Sequence, residues 1–432
     1  MMIPHIFSPI QKLFCRIKIR GFWIEVAVIP KLFKMEHLKI LYYILNHYEN
    51  DYFISISGLP YCLLPDAMEH IDYKKDYCDY LKDDVCKNCS YLRRCHGWPE
   101  ELKIKRSKMS FIKDIPKEIV IEVTNQCNYA CKTCVMDKKP SLYVSFKTVK
   151  RIIDECSSIG INAIRFTGGE PFLNPEINKM LVYAKRKKFY VLLNTNASLI
   201  DDSTIELLSE TTDNILVSLQ GFDQITEGIL TGANVDFLKK LTTISRLKAR
   251  LSTLRIGTVI SKTFVLNMSK YARIIDSLGI KNWELYRSLV EHKTEFDIVK
   301  PELLKIMRYL YTLRKKHINA KIANPVPFCI SLSPVLSLAT LLGGVADDGH
   351  SRIVWDPEGF FKPSYFIHKN IGNTIIDAWN HPFIKNIRSL DYLPSLCQEC
   401  RYLLWCKGGS RVMSNIASHS YFGDDPLFKS CQ

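Results

Sequence analysis

Three cysteines stand within eight residues in the run Asn125-Gln126-Cys127-Asn128-Tyr129-Ala130-Cys131-Lys132-Thr133-Cys134. Thiolates are the ordinary protein ligands of iron–sulfur clusters. Three of them can wrap three corners of a cuboidal [4Fe–4S] cluster and leave the fourth iron open. An open iron can chelate the amino and carboxylate groups of a small molecule, as an open zinc position keeps a water. The competing chemistry is zinc, which would want four ligands in a closed shell. No fourth cysteine is near at hand.

The chain has 15 cysteines in 432 residues, most of them in three groups, while Cys15, Cys156 and Cys329 stand apart. Near the C-terminus Cys397, Cys400 and Cys406 form a CxxCxxxxxC run, and Cys431 follows. Four thiolates suffice for a closed auxiliary cluster or for zinc. Upstream, Cys86, Cys89 and Cys95 repeat the same spacing, with His96 a further candidate ligand. Cys62, after a strand and a proline turn, is preferred to Cys78 as the fourth ligand there. Iron–sulfur and zinc both remain open for this group. A disulfide framework would suit a small secreted domain better than a chain of this length.

These groups need elements to hold them. From about Ile115 the pattern alternates between short apolar strands and amphipathic helices. Strands are expected at 118–124, 163–166, 190–193, 214–219, 254–260 and 283–286. Helices are expected at 146–158, 174–188 (capped by Asn174 and Pro175), 202–209, 235–250 and 266–278. Such alternation implies a parallel sheet with right-handed crossovers. The fold class is α/β: a partial (β/α)6 TIM-like barrel with cysteine-rich modules at both ends. Chemistry in such a barrel sits at the C-terminal ends of the strands. The cysteine run follows the first strand and Thr167-Gly168-Gly169-Glu170-Pro171 follows the second, so they should share one mouth. Two glycines there would let the backbone approach a ligand closely. Residues 1–60 read as an extension with a helix at 34–48 and a strand at 52–57. Residues 61–112 read as a cysteine-rich module with a basic linker, 113–300 as the barrel, 301–380 as a connection and 381–432 as the last cysteine module.

CxxxCxxC after the first strand of a β/α barrel resembles the signature of the radical SAM superfamily. Gly168-Gly169-Glu170-Pro171 resembles that family's GGEP motif, which holds the methionyl amino group of S-adenosylmethionine. The resemblance implies a [4Fe–4S] cluster on Cys127, Cys131 and Cys134, with S-adenosylmethionine at Gly168, Gly169, Glu170, Asn196 and Ser218. Thr195-Asn196 resembles a TNG stretch with Ala197 in place of glycine, and Gln220 stands where aspartate is frequent. The residue before the last cysteine is usually an aromatic that packs on adenine; here it is Thr133, which leaves Tyr129 as the candidate. The implied reaction is reductive cleavage of S-adenosylmethionine to a 5′-deoxyadenosyl radical that abstracts hydrogen from substrate. Cys397, Cys400, Cys406 and Cys431 resemble the SPASM extension of peptide- and protein-modifying members. That pattern's GGC is Gly408-Gly409-Ser410 here, and Asp356-Pro357-Glu358-Gly359 followed by Lys362-Pro363-Ser364 ends its DPdG…PC stretch in serine. One C-terminal auxiliary cluster, not two, is the expectation.

A net charge of +15 suits an acidic partner, such as a ferredoxin or flavodoxin donating one electron. No nucleic-acid motif accompanies that charge. The expected substrate is a peptide, a protein side chain or a cofactor precursor. The rivals are modification of tRNA and a non-catalytic iron–sulfur or zinc scaffold. The apolar N-terminus, broken by Lys12, Arg16, Lys18 and Arg20, reads as neither a signal peptide nor a membrane span, so a cytoplasmic protein is expected. No general acid or base stands out; Glu284 and Tyr286, ending the sixth strand, would face the mouth.

Overall fold

The computed structural model describes residues 14–20, 23–48, 52–64, scattered positions from 67 to 102, 114–136, 140–289, 295–341 and 349–428. Cys89, Cys431 and the alternatives Cys78 and His96 lie outside the described residues. The chain divides into two compact units: Met1–Asp114 with Glu399–Trp405, and Ile115–Gln398 with Cys406–Gln432.

The smaller unit is built on a three-stranded sheet. Strands β1 (Cys15–Arg20) and β2 (Trp23–Val28) are antiparallel. Strand β3 (Phe53–Ser57) lies parallel to β2, and helix α1 (His37–Tyr48) makes the crossover between them. In β1, Cys15 and Ile17 face inward while Arg16 and Lys18 face water, the period of a half-buried strand. Leu41, Ile44 and Leu45 of α1 join Ile24, Val26, Ile54 and Ile56 in one core. The segment 399–405 belongs to this unit through its aromatic side chains. The Trp405 ring lies 5.4 Å from Phe53, and the Arg401 guanidinium sits 4.9 Å from the Trp23 ring.

The larger unit carries the expected alternation. Its strands are β4 (Glu118–Glu122), β5 (Ala163–Thr167), β6 (Tyr190–Thr195), β7 (Asn214–Ser218), β8 (Thr253–Val259) and β9 (Asn282–Tyr286), all parallel. Between them run α2 (Phe146–Ile159), α3 (Ile177–Arg186), α4 (Asp202–Thr211), α5 (Gln224–Thr231), α6 (Phe237–Arg250) and α7 (Lys262–Ser277). Helix starts are marked by side-chain caps at Ser145, Asp201, Asp223, Asp236 and Ser261, which satisfy otherwise unpaired N–H groups. Ile119, Val120 and Ile121 of β4 are fully buried, as in a parallel sheet covered on both faces.

Three features differ from the sequence-based expectation. Residues 301–380, expected as a helical then strand-like connection, place their strands in the barrel sheet. They add β10 (Asn319–Ile322) parallel to β9, β11 (Arg352–Trp355) parallel to β4, and β12 (Phe361–Lys362) antiparallel to β11. The sheet therefore has nine strands in the order β10-β9-β8-β7-β6-β5-β4-β11-β12. Helix α5 was not anticipated. Its eight residues hold only one turn of apolar pattern, so its capping box at Asp223 and Thr226 is the main signal. Asn174 does not start a helix, because Pro171–Leu173 is a separate 3-10 turn and α3 begins at Ile177. Asn174 is instead buried and donates to the carbonyls of Val123 (2.8 Å) and Val144 (2.9 Å), tying the GGEP segment to the end of β4.

Candidate active site at the mouth of the barrel

The cysteine loop leaves β4 at Thr124 and is pinned from two sides. On one side the glycine segment zips onto it: Gly169 N–H donates to Thr124 O (2.7 Å) and Glu170 N–H to Gln126 O (2.8 Å). A Cβ on Gly169 would lie 2.0 Å from Gln126 O, and one on Gly168 (φ +139°) 2.2 Å from Thr124 O. The close approach that requires glycine is thus an approach to the cysteine loop itself. On the other side, Ala130 N–H donates to Thr231 O (2.9 Å) and Lys132 N–H to Leu230 O (3.3 Å), at the end of α5.

Glu170 is fully buried, and its carboxylate is consumed by the fold. Oε1 accepts from Thr195 Oγ1 (2.8 Å) and Phe172 N–H (3.3 Å), while Oε2 accepts from Asn196 N–H (2.8 Å). Burial pushes this carboxyl up to about 7 against the pull of those donors. Asn196 then braces the loop. Its amide donates to Asn128 Oδ1 (2.9 Å) and reaches Cys127 Sγ at 3.8 Å, and its own Oδ1 accepts from the Ser198 hydroxyl (2.6 Å). A second N–H, that of Tyr129, points at Cys127 Sγ (3.4 Å). Ser218 ends β7 half-buried.

Cys127 and Cys131 are half-buried and Cys134 is exposed. Burial pushes the Cys131 thiol up to about 12, and the nearby Cys127 and Cys134 add to the rise. Tyr129 is buried at 6% exposure, with the Lys240 ammonium 5.3 Å from its ring centroid. Thr133 lines a cavity of about 180 Å3 whose mostly apolar wall includes Val259, Tyr286, Leu289, Val354 and Phe366. Glu284 does not face that cavity as a base. It pairs with Arg255 (2.7 Å) and accepts from the Tyr286 hydroxyl. Burial pushes Glu284 up, but Arg255 and that hydroxyl outweigh it and hold the carboxyl below its usual range.

The outer cysteines are less completely described. Cys406 is buried and its Sγ accepts from Phe328 N–H (3.4 Å); Cys397 and Cys400 are half-buried. The two serines standing where the SPASM-like pattern has cysteine are engaged locally. Ser410 caps the helix Arg411–Ser418 and its N–H donates to Asp425 (2.8 Å), while Ser364 accepts from Phe366 N–H (3.3 Å). A buried ion pair between Arg287 and Asp425 fills the space beside Ser410. Cys62 and Cys95 pack against the core of the smaller unit, and Cys86 is half-buried. Elsewhere, ligand atoms of Asp356, Glu358 and His368 lie within 4.8 Å of one another, but the Lys362 ammonium, 2.8 Å from Asp356, already supplies a cation there.

Residues 121–260, from the cysteine loop through β8, match the Radical SAM superfamily. That stretch of the chain is similar to a radical SAM domain. The antilisterial bacteriocin subtilosin biosynthesis protein AlbA of Bacillus subtilis is 24% identical over 280 residues, 62% of this chain and 60% of AlbA, so the match spans less than two thirds of that relative. An AdoMet-dependent heme synthase of Nitratidesulfovibrio vulgaris is 22% identical over 341 residues, 72% of this chain and 91% of that protein. Among solved structures, Streptococcus suis SuiB bound to precursor peptide SuiA aligns with a TM-score of 0.60 at 19% identity, covering 74% of this chain and 76% of SuiB. Native anSMEcpe with bound AdoMet aligns at 0.59 and 17% identity, covering 73% and 94%. The chain thus shares its α/β partial-barrel fold with these structures. No helix among the described residues is long and apolar enough to cross a membrane.

Proposed function

We propose that this chain is a radical SAM enzyme acting on a peptide side chain or a cofactor precursor. The observation that carries the reading is the pinned loop of three thiols after β4, whose Thr133 lines a mostly apolar cavity. The donor set fits a cluster better than zinc: three thiols with no fourth cysteine near in the sequence suit three irons of a cuboidal cluster, whereas structural zinc takes four ligands in a closed shell.

When bound, the cluster and S-adenosylmethionine supply a 5′-deoxyadenosyl radical able to abstract hydrogen. The protein's part is position and exclusion of water. The backbone bonds from Gly169, Glu170, Ala130 and Lys132 fix the loop, and Asn196 and Tyr129 orient Cys127. Gly168, Gly169, Asn196 and Ser218, at or just after the C-terminal ends of β5, β6 and β7, would hold S-adenosylmethionine, and the apolar wall would keep the reacting hydrogen dry. Glu170 acts through Thr195 and Asn196 rather than on the ligand. Peptide substrates are supported by AlbA's role in bacteriocin biosynthesis and by the SuiB–SuiA complex, and cofactor precursors by the heme synthase. Cys397, Cys400, Cys406 and Cys431 would hold an auxiliary cluster, and Cys62, Cys86, Cys89 and Cys95 a further cluster or zinc. An acidic one-electron donor suits the net charge of +15.

Anaerobic reconstitution followed by dithionite and S-adenosylmethionine tests the reading. Release of 5′-deoxyadenosine and methionine is expected, and its loss in Cys131→Ala. An intact cluster that releases neither product would sink the enzymatic assignment. Iron and sulfide retained in Cys131→Ala would mark the outer modules as iron–sulfur sites; their disappearance would refute that assignment.

A further inference from the structure

Directly behind the cysteine loop lies a buried ion pair. Glu227 of α5 and Lys240 of α6 have side chains 0% and 2% exposed, with Nζ 2.5 Å from Oε1. Taking two charges out of water costs several kcal/mol per ion, and a well-packed apolar pair could replace them. Each is held in place. Glu227 Oε2 accepts from the N–H groups of Gln220 (2.7 Å) and Gly221 (2.5 Å). Lys240 stands 5.3 Å from the ring centroid of Tyr129, which lies in the loop between Cys127 and Cys131. The helix bearing Glu227 ends in the two carbonyls, of Leu230 and Thr231, that accept from the loop. With both side chains sealed from solvent, little screening intervenes.

We propose that Lys240 and Glu227 set how readily the group on Cys127, Cys131 and Cys134 is reduced, Lys240 easing reduction and Glu227 restraining it. The inference rests on the functional reading above. A cluster in the 2+ state with three thiolates carries a net negative charge, and one electron from an external reductant makes it more negative without moving a proton or breaking a bond. A nearby buried cation stabilises the reduced form more than the oxidised form, and a buried anion does the reverse. Lys240 touches neither cluster nor substrate; it is a positioning residue that acts through its field.

The test is the midpoint potential of the reconstituted full chain, read by EPR-monitored anaerobic titration. Lys240→Met should shift the midpoint to more negative potential, and Glu227→Gln should shift it to more positive potential. The double variant should fall between them, and Lys240→Arg should restore a midpoint near wild type. A purely structural role would move both single variants in the same direction or lower iron content without moving the midpoint; either result overturns the inference. If Lys240→Met does not assemble, Glu227→Gln decides alone, since a negative shift or none refutes it. A wild-type chain with no cluster signal defeats the functional reading itself, whereas a normal signal with unmoved midpoints defeats only this inference.

Discussion

Replacing Glu170 by glutamine isolates what this carboxylate does, because size is kept while one acceptor becomes a donor. In the wild type three donors converge on it: the Thr195 hydroxyl and Phe172 N–H on Oε1, and Asn196 N–H on Oε2. Glutamine can keep its oxygen toward Thr195 and Phe172, but its amide then faces Asn196 N–H donor to donor. A buried donor left without its acceptor costs roughly 1–3 kcal/mol. Taking about 2 kcal/mol, local opening around Asn196 becomes about 30-fold more frequent. Hydrogen exchange of the apoprotein, followed by mass spectrometry on peptides spanning 190–200, reads this without any cofactor. Protection there should fall by about that factor in Glu170→Gln. It should fall further in Glu170→Ala, which strands all three donors and opens a cavity. Helix α6 should stay unaffected. Unchanged exchange at 194–198 in Glu170→Gln, or a Glu170→Ala no worse than Glu170→Gln, would refute the structural role of this carboxylate.

Gly169→Ala should deplete iron from the reconstituted protein, because its Cβ would lie 2.0 Å from Gln126 O and must push the loop off β5; iron content equal to wild type would argue against that packing. In the apoprotein at pH 8, iodoacetamide should label exposed Cys134 well before Cys131. A thiol raised from 9.0 to about 12 is protonated at pH 8, so Cys131 labelling should rise about tenfold per pH unit toward that value, as peptide mapping across pH would show. Trp405→Ala removes the ring that packs on Phe53 and His70 and should destabilise the smaller unit by about 3 kcal/mol, seen as faster hydrogen exchange in 53–57.

The chemistry-bearing residues were legible because iron–sulfur ligation needs a particular residue type at short spacing, and Cys127, Cys131 and Cys134 satisfy it locally. The six central strands were legible because each is a short apolar run bounded by capped helices. What escaped was set by distant partners. Strand β11 joins β4 only through pairing across more than two hundred residues, as in Arg352 opposite Glu118, and four residues carry too little periodicity to announce it. Asn174 looked like a helix cap because capping and tying two loops together call on the same side chain. Lys240 looked like one more lysine on a basic helix face. Its burial depends on Glu227, thirteen positions earlier on a helix too short to read. The glycines were marked correctly as a close approach, but what they approach could be known only from the fold.

The membership of residues 399–405 in the smaller unit bears on how the protein is made. A ribosome delivers the sheet of β1, β2 and β3 first, hundreds of residues before the aromatic segment that completes it. Until Arg401, Tyr402 and Trp405 emerge, Trp23 and Phe53 lack the rings and the cation that pack on them in the finished protein. The nascent chain therefore carries an unfinished first unit through synthesis of the entire barrel.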